Sequence, residues 1–145
     1  MQEKNRSKLN EWIRMIHSFN LIYYRFFKRY GLSMNSFHIL ILLKPLEKGM
    51  EPSLIAENLG LLRQALAPLL NGLETRHLIV RLAVPEDHRK KRIVLTEQGR
   101  TLATEVEKLL STLEIQALDG LDENDSDKMF EGLRQFNRSL DQLIQ

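Results

Sequence analysis

The sequence predicts a mainly α-helical fold with one small β-hairpin near its middle. Apolar residues recur every three or four positions over most of the chain, which is the period of a helix with one buried face. Between positions 79 and 95 the period falls to about two, which is typical of strands. Glycine and proline separate the periodic segments. Together these observations predict six helices and two strands.

The first helix is predicted to run from Leu9 to Gly31 and to be apolar on more than one side. Leu21, Ile22 and Tyr24 lie off its main apolar row. Because such a helix needs a cover on more than one side, we expect a second copy of the chain to supply it. The main row contains Leu9, Trp12, Ile13, Ile16, Phe19, Tyr23, Phe26, Phe27 and Tyr30.

The next three helices are short and close together in sequence. Ser33 can cap a second helix that ends before Pro45. Pro52 suits the first turn of a third helix, since its missing N–H would have no partner there. That helix stops at Gly60, and a fourth begins within four residues. Two helices joined by a tight turn that contains glycine have helix-turn-helix spacing.

A cationic segment connects the two predicted strands. The sequence VPEDHRKKRIVLT at 84–96 is expected to form the tip of a hairpin, and Thr96 can cap a long fifth helix. A sixth helix follows the acidic break at 119–127 and continues to the end of the sequence. This order of elements predicts a winged helix-turn-helix with long N- and C-terminal helices. The cations of the segment are Arg89, Lys90, Lys91 and Arg92.

Positive charge is concentrated on the helix-turn-helix and the hairpin. Residues 63–92 contain seven cations and three anions, a balance of +4; since the whole chain carries +2, the rest carries −2. A helix of this size fits the major groove of duplex DNA, and a cationic loop fits the flanking minor groove. A cationic hairpin alone is more often a solvated loop that protects a strand edge. The combination favours DNA.

Several other classes of protein are disfavoured. The absence of cysteine excludes disulfides and thiolate nucleophiles and fits the cytoplasm, where we expect the protein. No apolar run reaches the ~18 residues that cross a bilayer, so no membrane partner is expected. The four histidines lie on separate elements, and the sequence lacks phosphate-binding loops and nucleophile elbows. We therefore expect no cofactor, no metal site and no enzyme activity.

The segment LGLLRQALAPLLNGLETRHLIVRLAVPEDHRKKRIVLTEQG resembles the helix-turn-helix and wing of the MarR family of bacterial transcriptional regulators. Its most specific part is PEDHRKKRIVLTEQG, which is similar to the family's D-x-R wing tip followed by a strand ending in Leu-Thr. The long first helix and the last two helices match the family's dimerisation region. The resemblance therefore covers nearly the whole chain.

The resemblance implies a homodimeric repressor of transcription that binds a pseudo-palindromic operator in double-stranded DNA. Members of the family often release DNA when a small aromatic compound, frequently a phenol, binds in a cleft between the dimerisation helices and the DNA-binding lobe. The resemblance also implies one MarR-like domain over residues 1–145. Within it, residues 32–96 would form the DNA-binding lobe, and 1–31 and 97–145 the dimerisation helices.

The resemblance also implies roles for individual residues. Arg63 and Gln64 would open the recognition helix toward the bases, Arg89 would enter the minor groove, and Asp87 would orient it. Tyr23, Tyr24 and His38 are the polar side chains expected in the effector cleft, although an aromatic stripe at helical spacing is more often core or dimer interface. The full predicted DNA-binding set is Arg63, Gln64, Ala67, Asn71, Arg81, Asp87, His88, Arg89 and Lys90.

Three positions depart from the family pattern. Leu62 stands where a Ser or Thr cap is common, which costs on the order of 1 kcal/mol. His88 stands where arginine is common. Pro68 removes the hydrogen bond to the Gln64 carbonyl inside the recognition helix, at a cost of roughly 3 kcal/mol. These departures keep an alternative open: a winged-helix interaction module that binds an acidic protein and lacks specific DNA binding.

Overall fold

The computed structural model of the chain describes residues 2–85 and 87–145, and for residues 2–4, 88 and 89 it describes the backbone alone. Within these residues the fold is mainly helical with one antiparallel hairpin, which confirms the predicted fold class. The elements are α1 (Gln2–Lys28), α2 (Met34–Leu43), α3 (Pro52–Asn58), α4 (Arg63–Thr75), β1 (Ile79–Val84), β2 (Asp87–Leu95), α5 (Glu97–Asp119) and α6 (Glu123–Ile144).

The chain divides into two compact units, Met1–Val106 and Glu107–Gln145. The first unit contains α1 to α4, the hairpin and the beginning of α5, and it holds the buried core. The second contains the rest of α5 and all of α6. Among the described residues, no helix has both the length and the apolar character required to cross a membrane.

Helix α1 begins earlier than its apolar pattern predicts. It starts at Gln2 rather than Leu9, because the polar residues before Leu9 include good helix formers. It ends at Lys28, and Gly31 then takes a positive φ of 62° in the turn to α2. Such a φ suits glycine, which has no Cβ to clash with the backbone. The turn is closed by the Leu32 N–H, which donates to the Phe27 carbonyl at 3.1 Å.

Helix α2 forms the centre of the core of the first unit. As predicted, Ser33 caps it: the Ser33 hydroxyl accepts a hydrogen bond from the Ser36 N–H at 3.0 Å. Ile39, Leu40 and Leu43 are fully buried in it. Because these side chains contact elements on several sides, α2 holds the helix-turn-helix in place. The buried apolar residues around them include Phe27, Ile55, Leu66, Leu73, Leu78, Ile79, Ile93 and Val106.

Helices α3 and α4 form the predicted helix-turn-helix. Gly60 takes a positive φ of 61° in the turn between them, and the Leu61 N–H donates to the Ala56 carbonyl at 2.8 Å. Leu62 is the N-cap of α4 and makes no side-chain capping bond. Helix α4 continues through Pro68 to Thr75 as one helix. The structure thus contains both features that the sequence predicts to destabilise this helix: the missing side-chain cap at Leu62 and the proline at position 68.

The hairpin differs from the predicted form, in which the cationic residues belong to a loop. Strand β2 begins at Asp87, so that the run 89–92 lies within the strand. Ala83 pairs with Lys91, but the next residue, Val84, pairs with Asp87, which leaves residues 88–90 outside the regular register. Residues 88–90 therefore form an irregularity between two paired positions of the hairpin, with extended backbone, rather than a separate loop.

The beginning of α5 agrees with the prediction, and that of α6 differs from it. The Thr96 hydroxyl accepts from the Gly99 N–H at 2.9 Å, which confirms Thr96 as a helix cap. The expected break at 119–127 is shorter, because α6 already begins at Glu123. Asp122 caps it by accepting from the Asn124 N–H at 3.0 Å. Acidic residues are favoured in the first turn of a helix, where the N–H dipoles are positive.

Candidate nucleic-acid interface

A cationic groove lies where the beginning of α3, the helix α4 and the hairpin meet. Its volume is about 580 Å³. It brings together four of the predicted DNA-binding residues, namely Arg63, Ala67, Asn71 and Arg81, and adds Lys91, which was not among them. The other lining residues are Pro52, Ser53, Leu66 and Leu70. We call this feature the α4–hairpin groove.

Arg81 connects β1 to α4 inside this groove. Arg81 Nη2 donates a hydrogen bond to Asn71 Oδ1 at 2.6 Å, and Arg81 Nε lies 3.5 Å from Glu74 Oε2. These groups are exposed, so the ion pair contributes less than about 1 kcal/mol to stability. The contacts of Arg81 act instead on the orientation of the Asn71 side-chain amide. Because the Asn71 carbonyl oxygen is taken, the Asn71 amide nitrogen is the group left to donate to a ligand in the groove.

The cations of β2 point in different directions. Lys90 Nζ lies 3.9 Å from Glu51 Oε2, at the N-terminus of α3, whereas Lys91 lines the α4–hairpin groove. Successive side chains of a strand alternate between its faces, so Lys90 and Lys91 face opposite ways. This alternation is readable in the sequence, and it would have added Lys91 to the predicted set if the cationic segment had been assigned to a strand.

Helix α4 has one buried face and one exposed face. Leu66, Leu70 and Leu73 are buried against the core. At 100° per residue the opposite face carries Gln64, Pro68, Asn71 and Thr75, all of which are exposed. Gln64 lies on this outer face and does not line the α4–hairpin groove, whereas Asn71, on the same face, does. Pro68, which sequence reasoning treated only as a cost, lies on the same face.

The predicted wing tip is described only in part. Asp87 is half-buried and opens β2 opposite Val84. The backbone of residues 88 and 89 belongs to β2. The side chains of His88 and Arg89 lie outside the described residues, and so does Glu86. The proposed roles of Arg89 in the minor groove and of Asp87 as its orienting carboxylate stay predictions.

The three predicted effector-binding residues lie on α1 and α2. The Tyr23 ring is half-buried between the rings of Phe19 and Phe27, with centroid distances of 4.7 and 6.2 Å. The Tyr24 ring is exposed, and Lys28 Nζ lies 5.7 Å from its centroid. His38 is exposed on α2. The stacking of Tyr23 is the arrangement expected of core packing, and the effector role of all three stays a prediction.

Two arginines that sequence reasoning missed connect the long helices α1 and α5 to the shorter helices α4 and α2. Arg76, at the C-terminal end of α4, donates hydrogen bonds to the carbonyls of Gly31 and Tyr30 at 2.6 and 2.8 Å. Arg100 of α5 donates to the Lys44 carbonyl at the C-terminal end of α2. Carbonyls at the end of a helix lack intrahelical donors, so guanidinium groups are suitable partners. Nothing in the sequence pattern identifies partners 45 or 56 residues away.

The described residues give no indication of a metal site. Across residues 2–85 and 87–145, no group of three or more His, Asp or Glu side chains is placed to hold a metal ion. Two further clefts, of about 410 and 230 Å³, lie beside α5 and beside the N-terminus of α2. The α4–hairpin groove is larger than either, and of these three it is the one lined by three cations.

Comparison with known proteins gives matches among solved structures. No family model matches the chain, and no curated protein does. A point mutant of MepR from S. aureus is 25% identical over 90% of this chain and 97% of its own, with a TM-score of 0.76. FabT from Streptococcus pneumoniae in complex with DNA is 22% identical over 95% and 99%, with a TM-score of 0.76.

A third match is CouR from Rhodococcus jostii RHA1 bound to p-coumaroyl-CoA. It is 23% identical over 88% of this chain and 90% of its own, with a TM-score of 0.68. The fold and these matches define a winged helix-turn-helix protein. Its arrangement of six helices and a hairpin is that of the MarR-type regulators, which confirms the resemblance seen in the sequence.

Proposed function

We propose that this protein is a DNA-binding regulator of transcription, a homodimer that represses from a pseudo-palindromic operator. The observation that carries the proposal is the α4–hairpin groove, where Arg63, Arg81 and Lys91 converge beside an exposed helix face. Ammonium and guanidinium groups at such a junction suit the phosphates that border a major groove, and a guanidinium can also pair with a base edge inside it. MarR-type structures are regulators rather than enzymes, and several of the matching structures hold DNA.

Each part of the interface has a distinct task. Helix α4 enters the major groove and presents Arg63, Gln64 and Asn71 to base edges, since amide and guanidinium groups pair with the acceptors found there. The hairpin lies along the adjacent backbone and extends its cationic strand toward the minor groove. Arg81 holds these two parts together through Asn71. The operator is read by two copies of this arrangement, centred about one helical turn apart.

Apolar surface supports the homodimer in each unit taken by itself. In the first unit, α1 exposes Phe19 to 58% together with Leu21 and Ile22. In the second unit α6 has no buried residue, although Phe130, Phe136, Leu140 and Leu143 form an apolar row. Exposed apolar surface of this extent marks an interface. A second copy of the chain covers it in our proposal.

The direct test is selection of duplexes from a random pool by the full-length protein, followed by binding measurements at increasing salt. We expect one palindromic sequence to be enriched, and log K to fall linearly with log salt, with a slope of about −0.9 per neutralised phosphate. A protein-binding module without DNA specificity would enrich no sequence. That result would contradict the proposal.

Base readout and backbone contact are expected to respond differently to substitution. Arg63→Ala or Gln64→Ala should weaken binding to the selected operator by about 1–3 kcal/mol and relax preference at one position in each half-site. Arg89→Ala should weaken binding on all sequences and reduce the salt slope by about 1, with specificity preserved. Fluorescence anisotropy on the operator and on single-base variants measures both effects. Unchanged affinity of Arg89→Ala at moderate salt would show that the hairpin tip is a solvated loop.

Release by a small aromatic effector forms part of the proposal. The CouR structure holds p-coumaroyl-CoA, and Tyr23, Tyr24 and His38 are the side chains proposed to meet an effector here. A ligand present at about 100 times its Kd should stabilise the protein by about 2.7 kcal/mol and raise Tm. A screen of phenols and aromatic carboxylates should identify such a compound and show that it weakens operator binding. If no compound changes Tm or DNA affinity, this part of the proposal is wrong.

A further inference from the structure

The outer surface of the recognition helix α4 is unusually apolar for a cationic lobe. Leu62, its N-cap residue, is 78% exposed, which is more than any other large apolar side chain described in the first unit. Pro68 is exposed on the outer face, four residues after Gln64 and three before Asn71. Ala65 and Ala67 are exposed as well. Beside the polar side chains of Arg63 and Gln64, the first half of α4 therefore also exposes apolar side chains.

Leu62 and Pro68 both lower the stability of α4 at the positions they occupy. Leu62 leaves the N-terminus of α4 without a side-chain acceptor, and Pro68 removes one hydrogen bond from the middle of the helix. Neither is buried in the core: both residues are exposed, and Pro68 also lines the rim of the cleft of about 230 Å³ beside the N-terminus of α2. Local rules of stability are broken most often where a residue serves function. Leu62 and Pro68 both break such a local rule, so a functional role is expected for both.

The charge around these residues indicates what covers them. Arg63 follows Leu62 directly, and Arg81 and Lys91 lie in the neighbouring α4–hairpin groove. An acidic polymer is therefore the complementary partner. In the major groove of DNA, base edges present hydrogen-bonding groups and one apolar group, the C5-methyl of thymine. An apolar surface flanked by cations matches a major groove that contains thymine methyls.

We propose that Leu62 and Pro68 are specificity-determining residues that read thymine methyl groups in the operator. The inference rests on the proposed function and adds the chemistry of the recognised sequence. The two residues lie about 9 Å apart along α4, whereas base pairs repeat about every 3.4 Å, so they contact different base pairs. Each half-site then contains at least two A·T pairs at which the thymine methyl, rather than a hydrogen bond, supplies the discrimination.

The experiment replaces thymine by uracil, which removes the methyl group and keeps every hydrogen-bonding atom. Duplexes selected by the full-length protein are resynthesised with uracil at one thymine position of each half-site at a time, and affinity is measured by anisotropy. At two positions we expect roughly a fourfold loss per methyl removed, the value of one buried methyl group. The same duplexes are then measured with Leu62→Ser and Pro68→Ser.

Each variant should lose the thymine-over-uracil preference at one position and retain it at the other. Serine restores a cap acceptor at 62 and an N–H at 68, so both variants should melt at or above the temperature of the unmodified protein. A lost preference then cannot be attributed to unfolding. Leu54→Ser, which removes an exposed leucine from α3 of the same unit, is the matched control and should keep both preferences.

The possible failures are distinguishable. If no duplex is enriched, the proposed function is wrong and this inference falls with it. If a duplex is enriched but uracil is tolerated at every position, DNA binding stands and methyl reading is overturned. If uracil weakens binding equally in the unmodified protein and both serine variants, other residues read the methyls. Unchanged operator affinity in Leu62→Ser would assign the exposed leucine to a protein partner and overturn its assignment here.

Discussion

Replacement of Leu143 by aspartate should dissociate the proposed homodimer. Leu143 is 83% exposed at the end of α6, on the apolar row that also contains Leu140. An unpaired charge buried in an interface costs about 3–5 kcal/mol, so the dimer Kd should rise at least about 100-fold. Sedimentation velocity at micromolar concentration would measure the shift to monomer. Operator affinity should fall with it, because a monomer contacts one half-site.

Gln142→Asp provides the control for this prediction. Gln142 follows Leu140 by two residues, about 200° around the helix, and is therefore on the polar face of α6. The same charge at this position should leave the dimer intact. If both aspartate variants dissociate, the effect is one of charge on α6 as a whole. If the unmodified protein is a stable folded monomer, the dimer proposal is wrong.

Gly49→Ala should destabilise the first unit severely. Gly49 has a φ of 67°, and an added Cβ would overlap the carbonyl oxygen of Ile93. The next residue, Met50, exchanges two hydrogen bonds with Ile93, so this glycine lies where the α2–α3 loop docks on β2. The positive φ alone costs about 1–2 kcal/mol. With the overlap we expect a loss of at least about 3 kcal/mol and a fall in Tm of about 10 °C.

Gly60→Ala separates the two contributions. Gly60 has a nearly equal φ of 61°, but an added Cβ would meet nothing within 4 Å. This variant should lose only the conformational part, about 1–2 kcal/mol. Thermal unfolding followed by circular dichroism compares the two. Equal losses would mean that the loop moves away from β2 without cost, which would contradict the close docking of Met50 on Ile93.

Sequence patterns predicted those features of the fold that depend on local chemistry. Ser33 and Thr96 accept from backbone N–H groups of the next turn, and Gly60 supplies a positive φ between α3 and α4. Each of these is decided within about four residues of chain. For that reason the element order, the helix-turn-helix and the hairpin were all readable from the sequence before any contact was known.

The parts that were missed depend on partners distant in sequence. The early start of β2 at Asp87 is set by pairing with β1, and a run of cations has no apolar alternation from which to read a strand. The contact of Arg81 with Asn71 requires the hairpin to pack on α4. Lys91 was left out because the cationic run was assigned to a loop, in which side chains do not alternate between two faces. Four residues of the predicted set, Arg63, Ala67, Asn71 and Arg81, lie together in the groove, but their arrangement was not predicted, and their role in DNA binding stays a prediction.

The two hydrogen bonds of Arg76 attach the C-terminal end of α4 to the turn that follows α1. Helix α1 has 27 residues and is therefore about 40 Å long, and its C-terminal turn is fastened to the end of α4 through the carbonyls of Tyr30 and Gly31. A tilt of about 5° around that fastening displaces the far end of α1 by about 3.5 Å over this length. Because the end of α4 is attached at this point, a rotation of α1 that amounts to only a few degrees there amounts to several Å at Gln2.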